Sequence, residues 1–197
     1  ATQEIFSLEQ MADLFSFERV NKAGAKFDWD KLNWINSQYL HDMTSENLTA
    51  LLIPYWQAAN FAFDADADRP WLDQISALIG PSLVTLKDCI GQCEYLFSDN
   101  IAIADDAKAF LGQDGVADAL GGILEHTESG DDFTIELAQS AIKQVVKAQG
   151  VKKGLVMRSI RAALTGALNG PDLMQSWLLL NRRGVDRARL RNAQELS

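Results

Sequence analysis

The residues best suited to chemistry lie between Lys152 and Leu173. Arg158 and Arg161 are spaced i and i+3, so on a helix they project from one side. Lys152 and Lys153 precede them at the start of the same periodic segment. Gly166 then reads as a helix stop, and Gly170-Pro171 opens another helix. A helix N-terminus presents unpaired N–H groups and the positive end of the helix dipole. Arginine forks onto phosphate or a base edge and stacks on a base plane. The chemistry on offer is therefore polyanion binding, in a basic cleft suited to single-stranded or looped RNA. The plainer alternative is that Arg161 is a buried salt-bridge partner and Gly-Pro merely starts a helix.

Nothing comparable supports catalysis. His41 and His126 are the only histidines, and neither has metal-ligand spacing. No phosphate loop, dinucleotide fingerprint or nucleophile elbow occurs. Cys89 and Cys93 share a helix face and read as two buried thiols in a reducing, cytoplasmic setting. The sequence therefore carries no catalytic and no metal-ligating residues.

Charge sharpens the case for binding. The chain has 197 residues and a net charge of −9, unevenly spread. From Asp42 to Ile142 there are 18 acidic and three basic residues; from Lys147 to Ser197 there are ten basic and three acidic. Such asymmetry suggests a polyanion-facing end, or a basic C-terminus that neutralises the acidic middle within one fold. No apolar run approaches a membrane span, and the N-terminus shows no signal-peptide pattern. The absence of an initiator Met fits a processed product or a piece of a longer chain.

Helical periodicity must position these groups. Ser7-Leu-Glu-Gln10 is a capping box for a helix to Phe15, followed by a turn centred on Gly24. Asp28 caps a helix over 29–42 with Leu32, Ile35 and Tyr39 at helical spacing. Thr44 or Ser45 starts another, with Leu48, Leu51, Leu52, Tyr55 and Trp56 on one face and Pro54 as a bend or break. Asp64-Ala-Asp66-Ala-Asp68 resembles a calcium loop but lacks its Gly and bidentate Glu, and reads as a solvated loop. Arg69-Pro70 opens a helix that stops at Gly80-Pro81, and Leu83–Phe97 is a further helix. Ser98–Asn100 breaks the pattern. Helices follow over about 105–112, 115–127, 134–148, 155–165, 171–180 and 185–194, with a polar loop over 127–132. The expected fold is all-α, a two-lobed helical bundle, divided as 1–44, 45–102 and 103–197.

Two segments carry a resemblance. The first runs from Phe17-Glu-Arg19 through Phe27-Asp28-Trp29-Asp-Lys31-Leu32-Asn-Trp34 to Leu40. The second is Gly154-Leu-Val-Met-Arg158-Ser-Ile-Arg161 to Gly166, followed by Gly170-Pro171-Asp-Leu173. In this order and separation they resemble the C-terminal half of bacterial glutamyl-tRNA synthetases, class I aminoacyl-tRNA synthetases. The resemblance spans essentially the whole chain. It implies an anticodon-binding region preceded by the tail of the stem-contact region. The family's adenylation motifs and nucleotide-binding sheet are absent from this sequence. The implied parent is an ATP- and Mg²⁺-dependent, cytoplasmic ligase that charges tRNA with glutamate; the partner is tRNA, not DNA or a membrane, and the expected state is monomeric.

By position, the resemblance assigns Lys31 and Trp34 to the tRNA near the anticodon stem. His41 stands where some relatives carry Arg. Arg161 matches an arginine that reaches the anticodon loop, with Arg158 beside it. Gly170-Pro171-Asp172-Leu173 matches a loop packed on the first anticodon bases, and some relatives have Thr in place of Gly170. Gly80 falls where discriminating relatives place an Arg that reads the third anticodon base, which implies relaxed choice between glutamate and glutamine tRNAs. The competing readings are a free-standing helical RNA-binding module and a protein-interaction scaffold.

Overall fold

The computed structural model describes residues 4–20, 24, 26–128 and 132–196. Among these the regular structure is entirely helical, as patterning predicts. The α-helices are α1 (Leu8–Leu14), α2 (Trp29–His41), α3 (Ser45–Ala58), α4 (Arg69–Ile79), α5 (Cys89–Phe97), α6 (Asp105–Leu111), α7 (Val116–His126), α8 (Ile135–Gln149), α9 (Lys153–Thr165), α10 (Leu173–Arg182) and α11 (Asp186–Glu195). Parts of the Gly24 turn and of the 127–132 loop lie outside the described residues.

Local chemistry sets most boundaries. The Ser7 capping box forms, with Ser7 Oγ accepting from the Gln10 N–H and Gln10 Oε1 accepting from the Ser7 N–H. Asp28 and Thr44 accept from the backbone three residues on, starting α2 and α3. Gly150 and Gly166 close α8 and α9 in the left-handed region, at φ 67° and 73°. Gly166 also sits against the Ala102 carbonyl, where a Cβ would collide, and its own C=O accepts from Ala104 N (2.8 Å).

Four expectations are corrected. Pro54 does not break α3, which runs through it. No helix starts at Leu83; Asp88 accepts from the Val84 and Thr85 N–H groups, making a short 3-10 turn that delays α5 to Cys89. α10 starts at Leu173, because Asp172 is its cap (Asp172 Oδ1 to Gln175 N, 2.9 Å) and Pro171 stays outside. Leu51 does not share the buried face of Leu48, Leu52 and Trp56 but is exposed, as are Leu32 and Tyr39 on α2.

One apolar cluster runs through the body. Leu52, Trp56, Leu72, Ile75 and Leu96 fill it among α3–α5; Leu111, Leu120, Ile142, Ile160 and Leu190 fill it among α6–α9 and α11. α10 touches both groups: it packs on α4 and α5 as well as on α8, α9 and α11. Trp71 Nε1 donates to the Leu179 C=O (3.3 Å) across the α4–α10 contact. Cys89 and Cys93 are buried free thiols, and burial pushes Cys89 up to about 11.

Candidate nucleic-acid interface

Part of the C-terminal basic run is spent inside the fold. Asp186, Arg189, Leu190 and Ala193 form the buried stripe of α11. Arg189, 5 % exposed, donates from Nη1 to Leu164 C=O (2.6 Å) and from Nη2 to the carbonyls of Tyr95 (2.9 Å) and Ser98. It thus joins the C-terminal ends of α9 and α5, where free carbonyls and the negative dipole end favour a cation. Burial and the neighbouring Arg183 hold the Arg189 guanidinium below its ordinary range. Arg183 donates to Leu96 C=O (2.9 Å), and Arg187 to Thr127 C=O (3.0 Å). Arg183 also pairs with Asp99 and Arg187 with Glu128 (both 3.6 Å), so for these two the internal-neutraliser reading holds, whereas Arg189 serves backbone carbonyls.

The helix ends that Arg189 braces border a groove of about 490 Å³. One wall comprises Ser82, Gln92 and Tyr95; the other comprises Thr165, Asn169 and Pro171. Its rim is a stiff turn. Arg161 Nη1 donates to the Pro171 C=O (2.8 Å), spanning the loop between α9 and α10. Thr165 Oγ1 donates to the Arg161 C=O (2.9 Å) and accepts from the Ala167 N–H (3.3 Å). Gly170 adopts φ 147°, and a Cβ there would stand 3.5 Å from Arg161 Nη1. The threonine of some relatives would have to adopt that glycine-favouring backbone. Tyr95 Oη pairs with Ser176 Oγ (2.7 Å) across to α10, and burial pushes its hydroxyl up to about 12.

The remaining assigned residues scatter around this rim. Arg158 does not join Arg161: its guanidinium lies 4.7 Å over the Phe110 ring on α6. The expected common cleft of Lys152, Lys153, Arg158 and Arg161 is therefore not formed. Lys153 instead shares a smaller hollow of about 210 Å³ with Lys143, Met157 and Met174. Arg161 has no carboxylate partner among the described residues, so the buried salt-bridge reading fails as well. Leu173, 3 % exposed, belongs to the core and offers the groove no side chain.

On α2, Lys31 pairs with Glu4 (3.5 Å) and Trp34 is 43 % exposed. His41 Nε2 meets the Leu83 C=O (3.0 Å), so it fastens α2 to the segment that follows Gly80. Gly80 is buried, and a Cβ there would stand 2.9 Å from Leu48 Cδ2. Packing alone therefore gives a reason for glycine at this position.

Sequence reasoning missed Ser82, Gln92 and Asn169, because neutral polar residues on loops and half-buried faces carry no periodic or charge signal. Arg189 was legible in principle as a cation on the apolar stripe of α11. Among the described residues, no group of three or more His, Cys, Asp or Glu is placed to hold a metal, and no helix is long and apolar enough to cross a membrane.

These features define an all-helical module with an open groove, largely apolar with a few hydroxyl and amide groups, and a pinned glycine–proline rim. The chain belongs to the anticodon-binding domain family, whose model matches residues 47–194. It is 52 % identical over 196 residues to the glutamate–tRNA ligase of Crocosphaera subtropica and 53 % identical over 193 residues to that of Nostoc punctiforme, covering 100 % and 98 % of this chain. It spans about 40 % of the length of both curated relatives. The crystal structure of a glutamate tRNA ligase from Elizabethkingia meningosepticum superposes with a TM-score of 0.86 at 26 % identity, over 98 % of this chain and 37 % of that one. The corresponding enzyme of Elizabethkingia anophelis shares the fold, with a TM-score of 0.83 at 24 % identity and the same coverage.

Proposed function

We propose that the groove between α5 and the α9–α10 turn receives the anticodon loop of a tRNA, and that the chain serves as the anticodon-reading part of a glutamate–tRNA ligase. The observation that carries this is the rim: Arg161 fixes the Pro171 carbonyl, and the turn it stiffens borders a groove whose largely apolar lining carries hydroxyl and amide groups at Ser82, Gln92, Thr165 and Asn169. A splayed loop base needs such a surface, because its edge is read by neutral donors and acceptors and its phosphates by nearby cations. The parent's reaction attaches glutamate to tRNA with ATP and Mg²⁺. In this reading the chain's share of that reaction is to hold and read tRNA. Lys31 and Trp34 on α2 lie toward the anticodon stem in this reading, and the setting is cytoplasmic and monomeric.

Arg161→Ala in the full-length protein tests it. Loss of the contact should weaken tRNA binding by about 1–3 kcal/mol. Unchanged affinity with an intact helical circular dichroism spectrum would remove Arg161 and its rim from the interface.

The same reading extends to tRNA choice. Gly80 presents no side chain with which to favour one third anticodon base or penalise another, and an arginine there would have to displace the buried tip of Leu48. The full-length enzyme is expected to charge both glutamate and glutamine tRNAs with glutamate. A strong preference for the glutamate tRNA in a charging assay would refute this.

A further inference from the structure

α2 stands on the body at one seat. Among the helices and turns it packs chiefly on Gly80–Ser82, whose last residue lines the groove. Ser37 and Leu40 are the buried side chains of α2. Asn36 and His41 flank them on the same face and reach two consecutive peptide groups just past the turn. Asn36 Nδ2 donates to the Val84 C=O (2.5 Å), and His41 Nε2 donates to the Leu83 C=O (3.0 Å). The N–H groups of the same two peptides, those of Thr85 and Val84, both donate to Asp88 Oδ2 (2.7 and 3.2 Å). Each peptide is thus clamped between α2 and the residue that precedes α5. Leu83, fully buried, fastens the clamped strand in the core, and α5 itself brings Gln92 and Tyr95 to the groove wall.

The clamp has leverage over the exposed part of α2. Trp34 lies seven residues before His41, two turns away on the same side of the helix, and Lys31 lies three residues further. At 1.5 Å per residue they stand about 10 and 15 Å from the clamp. A tilt of roughly 10° there would carry Lys31 by about 2.5 Å, enough to separate a charge-assisted hydrogen bond. Both side chains are exposed and move with the helix. Elsewhere α2 pairs with residues that precede it, Lys31 with Glu4 and Tyr39 Oη with the Phe6 C=O.

We infer that Asn36 and His41 are positioning residues: through the clamped Leu83–Thr85 peptides they fix the angle of α2 to the groove, so that Lys31, Trp34 and the groove engage one tRNA together. This rests on the anticodon-groove reading above. Two contact surfaces held at a fixed angle make the second contact nearly intramolecular once the first has formed, and a loose joint forfeits that gain. His41 then serves tRNA through the backbone it holds, not by touching the RNA.

The test is a double-mutant cycle on the full-length protein, read as affinity for a whole glutamate tRNA transcript. Asn36→Leu with His41→Leu removes both donors and keeps side chains suited to a helix. That pair should weaken binding by roughly fivefold, and Trp34→Ala by a similar factor. Because the clamp acts through the residues α2 presents, all three changes together should cost no more than either alone. His41→Gln, which keeps a donor near the Nε2 position, should bind like the unsubstituted protein. A merely structural role would multiply the losses, to about 25-fold; that result overturns the assignment, as does full affinity in the Asn36→Leu, His41→Leu protein. Arg161→Ala separates the two levels. If it weakens binding while Trp34→Ala does not, the groove stands and the positioning role falls. If Arg161→Ala also leaves affinity unchanged, the groove reading falls with it.

Discussion

Arg189 on α11 and Arg161 on α9 use the same side chain on the same kind of acceptor, a backbone carbonyl, to different ends. Arg189 is buried and joins the ends of two helices, at Leu164 on one side and at Tyr95 and Ser98 on the other. Arg161 is half-buried and holds one carbonyl, that of Pro171, at the lip of an open groove. The first arginine is consumed by the fold. The second keeps much of its donor capacity next to space a ligand can enter. Charge density along the sequence does not distinguish them; the burial of what each one touches does.

The contrast can be broken from either side, and the largest effect belongs to Arg189. Replacing it with Met leaves the Leu164, Tyr95 and Ser98 carbonyls without their cation, at a cost of about 3 kcal/mol in urea unfolding. Unaltered stability combined with lost RNA affinity would move Arg189 to the binding side of the comparison. Gly166→Ala comes next. The residue needs φ 73° and would press its Cβ into the Ala102 carbonyl, so a loss of about 2 kcal/mol is expected in thermal unfolding. The same change displaces Thr165 and Ala167 of the groove, so RNA affinity should fall with it; stability lost at full affinity would uncouple this turn from the site. The smallest effect concerns Tyr95. Its folded hydroxyl is raised to about 12 by burial, while an unfolded tyrosine titrates near about 10. Between those values the folded state holds the proton and the unfolded state loses it, so stability falls as pH rises through that window. Tyr95→Phe should flatten that part of the alkaline decline in melting temperature.

Much of the fold was legible in the chain because caps and stops are local. Ser7, Asp28, Thr44, Gly150 and Gly166 act within a few residues of themselves and mark helix ends as they would in any protein. The misplacements were non-local or competitive. α3 continues through Pro54, and Asp88 claims the N–H groups of Val84 and Thr85 before a helix can begin there. The rim of the site was partly legible, since Arg161 and Gly170–Pro171 stand out in type and spacing. Where each arginine would end was not. The i, i+3 spacing of Arg158 and Arg161 gives a shared direction at the backbone, and long side chains then part, one to the Phe110 ring and one to Pro171. The opposite wall was invisible, because Ser82 and Gln92 are ten residues apart and meet only through the turn after α4.

The most direct test of the central claim is a photo-cross-link from a tRNA carrying a photoreactive base in its anticodon to the full-length protein. The account predicts attachment within Thr165–Pro171 or at the Ser82–Gln92 wall, lost when Arg161 is replaced by Ala. Cross-links confined to the exposed faces of α8 or α11, with none in the groove, would contradict it.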